Sequence, residues 1–129
     1  MKKGIQFFLL TLLLLSCGNP MGDMVKTQNL DVYYINGVSK EDAVKFTKFW
    51  KRNGFIGKAH QTIQLELLKN NIVQVNLIER KVFQDQPILL KEQIMLTRIQ
   101  KMIRDSIFSE NRVNLVITDN TFKPLDRDL

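Results

Sequence analysis

The sequence predicts one α+β domain with the element order β-α-β-β-α-β, in which two helices pack on one face of a four-stranded antiparallel sheet. Three observations predict it. Residues 62–67 and 73–77 alternate apolar and polar side chains, the period of half-buried strands. Residues 40–53 and 88–108 carry apolar side chains at helical spacing. A β-rich run precedes the first of these helices and another follows the second.

The first strand covers Leu30 to Asn36, with Val32, Tyr33, Tyr34 and Ile35 inside it and a turn at Asn36-Gly37. Ser39 stands where an N-cap belongs, and Asp42 three residues later makes a weak capping box. The helix it opens runs to about Asn53, with Ala43, Phe46, Phe49 and Trp50 on one face. Gly54 then takes the left-handed conformation that ends a helix.

In the next pair of strands Ile63, Leu65 and Leu67 alternate with Thr62, Gln64 and Glu66, and Val73, Val75 and Leu77 alternate with Gln74 and Asn76. Asn70-Asn71 supplies the positive φ angles of a hairpin turn between them. Gln86-Pro87 opens the second helix, because the missing N–H of proline costs nothing in a first turn. Its stripe is Ile88, Met95, Leu96, Ile99, Met102, Ile103 and Ile107, and it extends to about Phe108. Val113, Leu115 and Ile117 mark the last strand, and the residues after Asp119 form a polar tail holding Phe122 and Leu125. This order is the ferredoxin-like, split βαβ arrangement. Its second sheet face, with Thr62, Gln64, Glu66, Gln74, Asn76 and Asn114, is expected to meet water.

Ahead of the domain lie Lys2 and Lys3, an almost unbroken apolar run from Ile5 to Leu15, and Leu14-Leu15-Ser16-Cys17. A positive n-region, an apolar h-region and a small residue at the cut make a signal peptide. The run is shorter than the roughly 20 residues that span a bilayer. The quartet resembles the lipobox of bacterial lipoproteins. That resemblance implies cleavage before Cys17, a diacylglycerol on its thiol and acylation of the new amino group. Gly18 in place of an aspartate implies, by the same resemblance, the outer membrane rather than the inner one in a two-membrane cell. Residues 1–16 are then signal peptide, 17–29 a lipidated cysteine and flexible tether, and 30–129 a single domain. The layout is also similar to that of a small uncharacterised α/β domain of bacterial membrane-associated proteins. Ser39-Lys40-Glu41-Asp42-Ala43, Asn53-Gly54-Phe55, Ile107-Phe108 and residues 119–125 carry this second likeness. It implies the fold and no activity.

The chain has 129 residues and a formal net charge of +6. Losing residues 1–16 removes two lysines and no acid, leaving seventeen basic against thirteen acidic side chains, a net +4. Such mild basicity outside the cytoplasm suits an anionic surface polymer, a lipid headgroup or an acidic envelope protein, and not nucleic acid. Only Tyr33 or Tyr34 offers the aromatic platform that nucleic-acid-binding sheets of this type present. Cys17 is the one cysteine, so a lipidated chain has no disulfide and no thiol nucleophile.

Catalytic and metal chemistry leave little trace. His60 is the one histidine, no calcium-loop spacing occurs, and Gly54 to Lys58 is too short for a P-loop. No cofactor or metal is expected. The candidate interaction surface is the basic side of the first helix, Lys40, Lys45, Lys48, Lys51 and Arg52, with an apolar spot at Leu90 and Ile94 on the wet side of the second. Phe122 or Leu125 of the tail is the alternative cover for that spot. The reading is a lipid-anchored, non-catalytic binding module of the cell envelope. Its rivals are a hydrolase, in which Glu66, Glu79 or Glu92 meets His60 only in the fold, and a structural spacer.

Overall fold

The computed structural model describes residues 20–126. The signal segment and Cys17 lie outside the described residues. The elements are β1 (Asp23–Thr27), β2 (Leu30–Ile35), α1 (Lys40–Arg52), β3 (Gln61–Leu68), β4 (Ile72–Ile78), α2 (Leu90–Ser106) and β5 (Arg112–Thr118).

The sheet corrects the predicted architecture. It has five strands in the order β1-β2-β3-β4-β5 and is mixed. β1 pairs antiparallel with β2, β2 parallel with β3, β3 antiparallel with β4, and β4 parallel with β5. A ferredoxin-like sheet interleaves its two βαβ halves; here they stand side by side and meet at the β3–β4 hairpin. Period-2 alternation fixes which face a side chain takes but not which strand lies beside it.

The added strand, β1, falls in residues expected to be a tether. It is a hairpin partner of β2 across Gln28-Asn29, with Asn29 at φ 64°. Gly22, at φ +95°, lets the chain enter β1, since a Cβ there would collide with the Ile35 side chain and the Tyr34 carbonyl.

The rows Val32–Ile63–Leu77–Ile117 and Tyr34–Leu65–Val75–Leu115 run across one face. Phe46, Phe49 and Trp50 of α1 and Ile99 and Ile103 of α2 join all of these but Ile117 in one core cluster, and the two helices touch. β2 and β3 run opposite to β4 and β5, each crossover steps one strand the same way, and both pass over one face. The two crossovers therefore have opposite hands, so one departs from the right-handed rule that about 98% of such connections obey.

Local chemistry explains the helix ends. Asp42 N–H donates to Ser39 Oγ at 3.1 Å, capping α1, and Gly54 at φ +72° closes it. α2 begins at Leu90, later than Pro87 predicts, because Glu92 Oε2 accepts the Leu89 N–H at 2.8 Å and ties down the first turn. Met95, placed in the stripe from sequence, is 54% exposed.

The polar face is not the wet face expected. Gln64 and Asn76 are 6% and 1% exposed. Gln74 Nε2 donates to Asn76 Oδ1 (2.8 Å), Asn76 Nδ2 to Gln64 Oε1 (2.9 Å), and Gln64 Nε2 to the Met21 carbonyl (3.1 Å). Phe122 is buried and packs edge-on against Tyr33 at 6.0 Å, so the tail covers this face and not Leu90 and Ile94. Breaking such a buried amide relay costs about 1–3 kcal/mol per orphaned group.

The sheet's edges differ. The outer side of β5 is occupied along its second half, because its Leu115 N–H donates to Gln100 Oε1 of α2 (3.0 Å) and Leu125 N–H to the Ile117 carbonyl (3.0 Å). Thr118 and Pro124 form an antiparallel bridge there. Asp119 turns the chain back for this purpose: its Oδ1 accepts from the Thr121 hydroxyl (2.7 Å) and from the N–H groups of Thr121 (2.8 Å) and Lys123 (3.0 Å).

The Thr121 hydroxyl, then the Lys123 and Thr121 N–H groups, hold the Asp119 carboxyl below its ordinary pKa. A lowered folded pKa means stability that is complete above the ordinary aspartate range and is lost as pH falls through the lowered value. Asp119→Asn is expected to be less stable than wild type at neutral pH, and the difference is expected to shrink in strong acid. Urea midpoints at both pH values check this.

Candidate binding cleft

At the end of the sheet where α1 stops and α2 starts, a cleft of about 570 Å³ opens. Its origin is a gap in helical cover. The floor row Ile63–Leu77–Ile117 lies near one end of the sheet, at the start of β3 and the ends of β4 and β5. Trp50 of α1 closes one side, while α2 buries Ile99 and Ile103 farther along and leaves Leu90 and Ile94 exposed. The connection from Glu79 to Phe83 forms the remaining wall.

The wall on the α1 side is rigid. Phe46 and Trp50 stack at 5.3 Å, and Phe55 folds back to 4.9 Å from Trp50. Trp50 Nε1–H donates to Gln61 Oε1 (2.9 Å), and Gln61 Nε2 donates to the Phe55 carbonyl (3.0 Å). Gln61 therefore fixes both the indole and the loop that carries the next cleft residues.

The rim is charged. Lys58, His60 and Arg80 all line the cleft and are all exposed. His60 Nε2 lies 2.9 Å from Asp31 Oδ2, which orients the ring, while Asp31 Oδ1 is buried with no hydrogen-bond partner among the described residues. Glu79 is the carboxylate in the lining, and its Oε1 accepts the Arg80 N–H at 3.0 Å. An apolar floor under mostly cationic edges is a geometry for holding a ligand: the floor supplies area and the rim supplies orientation.

The residues singled out from sequence fall elsewhere. Lys40, Lys45, Lys48, Lys51 and Arg52 are exposed on α1 and do not line the cleft; Lys45 pairs with Glu41 at 3.3 Å. Leu90 and Ile94 are 72% and 55% exposed on α2. Of the three glutamates set against His60, Glu79 shares its cleft, Glu66 accepts from Asn36 Nδ2 (3.0 Å), and Glu92 caps α2. Sequence reasoning missed Lys58, Arg80 and Phe83 as cleft residues. The available signal was the basic pair Arg80-Lys81 directly after a strand, beside an exposed aromatic.

Among the described residues no group of three or more His, Cys, Asp or Glu side chains is placed to hold a metal ion, and no helix is long and apolar enough to cross a membrane. Gln61→Ala should cost about 1–2 kcal/mol by orphaning the Trp50 N–H. Trp50 is the one tryptophan, so its emission should move with the loss, and urea unfolding followed by fluorescence checks both. No known protein family, curated protein or solved structure matches this chain.

Proposed function

We propose that the chain is a lipid-anchored, non-catalytic binding module of the cell envelope, and that the cleft is its ligand site. The observation that carries the binding half is the cationic rim over an apolar floor. The lipobox-like Leu14-Leu15-Ser16-Cys17 supports the anchoring half. Acyl burial is worth about 0.8 kcal/mol per methylene, so two or three chains on Cys17 hold a protein durably. Gly18 in place of an aspartate supports, by resemblance to lipoprotein sorting, the periplasmic face of the outer membrane where the cell has two membranes. The exposed lysines of α1 suit an acidic envelope protein or an anionic polymer, at up to about 1 kcal/mol per residue near such a surface.

A hydrolase is the second reading, favoured by one observation: His60, oriented by Asp31, shares the cleft with Glu79. The hydrogen bond that His60 makes is to a carboxylate and not to a hydroxyl nucleophile, which is why binding is preferred.

Fractionation of cells tests the anchor. Wild type is expected in the membrane pellet and Cys17→Ala in the soluble fraction; a variant that still pellets with membranes sinks the anchored reading. For the rival, His60-dependent turnover of a chromogenic ester or phosphoester panel would replace binding with catalysis, and an inert panel is the expected result.

A further inference from the structure

We infer that the cleft takes a single-chain amphiphilic carboxylate, with its head on the cationic rim and its chain laid over the floor, past Ile117, into a second hollow. This rests on the cleft being a ligand site, and names the class of ligand.

The second hollow, about 360 Å³, lies between α2 and β5 and is lined by Ile88, Leu96, Leu115 and Leu125 among others. Ile117 lines both hollows, and a chain crossing it would pass from one to the other. Together they make an elongated path with a charged end and an apolar run. The charged end carries Lys58 and Arg80 beside the carboxylate of Glu79, with His60 next to them held by Asp31. Lys58 and Arg80 are exposed, and their long stems let the heads reach an anion at the mouth. Phe83, 40% exposed, stands in the lining of the same mouth, where an apolar chain enters.

The alternatives fit worse. A compact anion such as phosphate would use the rim and leave Ile63, Leu77 and Ile117 uncovered. A neutral apolar molecule would gain nothing from the cations Lys58 and Arg80 at the entrance. A rigid, wide ligand does not follow two hollows joined at one residue. An unbranched chain with one anionic head uses every part of the path, and both volumes lie within the range of small-ligand sites.

The test is calorimetric titration of the full chain carrying Cys17→Ala, so that no acyl group of its own competes. Hexanoate, octanoate, decanoate, decanol and inorganic phosphate are the probes, all below micelle formation, with Trp50 emission read in parallel. Affinity is expected to rise about fourfold per added methylene. Decanol is expected to bind at least tenfold more weakly than decanoate, and the Lys58→Ala, Arg80→Ala double variant is expected to lose at least tenfold for decanoate and nothing for decanol. Both substitutions are at exposed positions and leave the core intact. Equal binding of decanol and decanoate, or phosphate binding as tightly as decanoate, overturns the ligand class while keeping the cleft as a site. Absence of heat and of any Trp50 response with every probe overturns the ligand class and the cleft together.

Discussion

The register of the β3–β4 hairpin is the constraint on which the other features hang. Within the sheet it is the only join between the two βαβ halves. Asn70 and Asn71 both take positive φ, 64° and 62°, and so fix the turn. That sets Ile63 opposite Leu77, Leu65 opposite Val75, and Gln64 opposite Asn76. A slip of one residue would turn each of these to the other face. The core would lose its central rows, the amide relay would face the helices, and the cleft would lose its floor. Because asparagine tolerates the left-handed region better than most residues with a side chain, two adjacent asparagines hold this register without a glycine.

Much of this was legible from the sequence, and the boundary of legibility has a physical cause. Properties that depend on neighbours along the chain came through: the Ser39 cap, the Asn53-Gly54 stop, the Asn70-Asn71 turn and the apolar face of the first helix. Properties set by which distant segments come together did not. Alternation is satisfied equally by an interleaved and a side-by-side sheet, so strand order was not determined. β1 was hidden because a five-residue edge strand between glycine and a short turn carries Val25 as the one apolar residue on its inner face, between Asp23 and Thr27. The start of the second helix went to Pro87, a local signal, although Glu92 reaching back to Leu89 sets it. The cleft was least legible of all. It is a shortfall of cover, and its rim is assembled from Lys58 and His60 before β3 and Arg80 after β4.

Polar side chains on a sheet are commonly read as solvent-facing, and Gln64 and Asn76 show when that reading fails. An amide can be buried at little net cost when each of its groups finds a partner. Here the relay from Gln74 to the Met21 carbonyl provides them, and Phe122 closes the face from the far side of the sheet. Phe122 does this at φ 62°, a backbone conformation that a bulky residue adopts at a cost of about 1–2 kcal/mol. The burial of its ring against Tyr33 offsets that strain. The C-terminal segment is thus a working part of the fold and not a trailing end.

The unequal edges of the sheet carry a consequence for self-association. A strand edge is a template, and a sheet with two free templates can add copies at both ends without limit, which is how fibrils grow. Here Gln100 and residues 124–125 occupy outer hydrogen-bonding groups of β5 from Leu115 to Thr118, and β1 is the sheet's other margin. A molecule with one such margin can be joined by strand addition once. Among the described residues the sheet has the asymmetry of a chain terminator: an added strand meets occupied groups along the end of β5, and β1 is the margin on the other side.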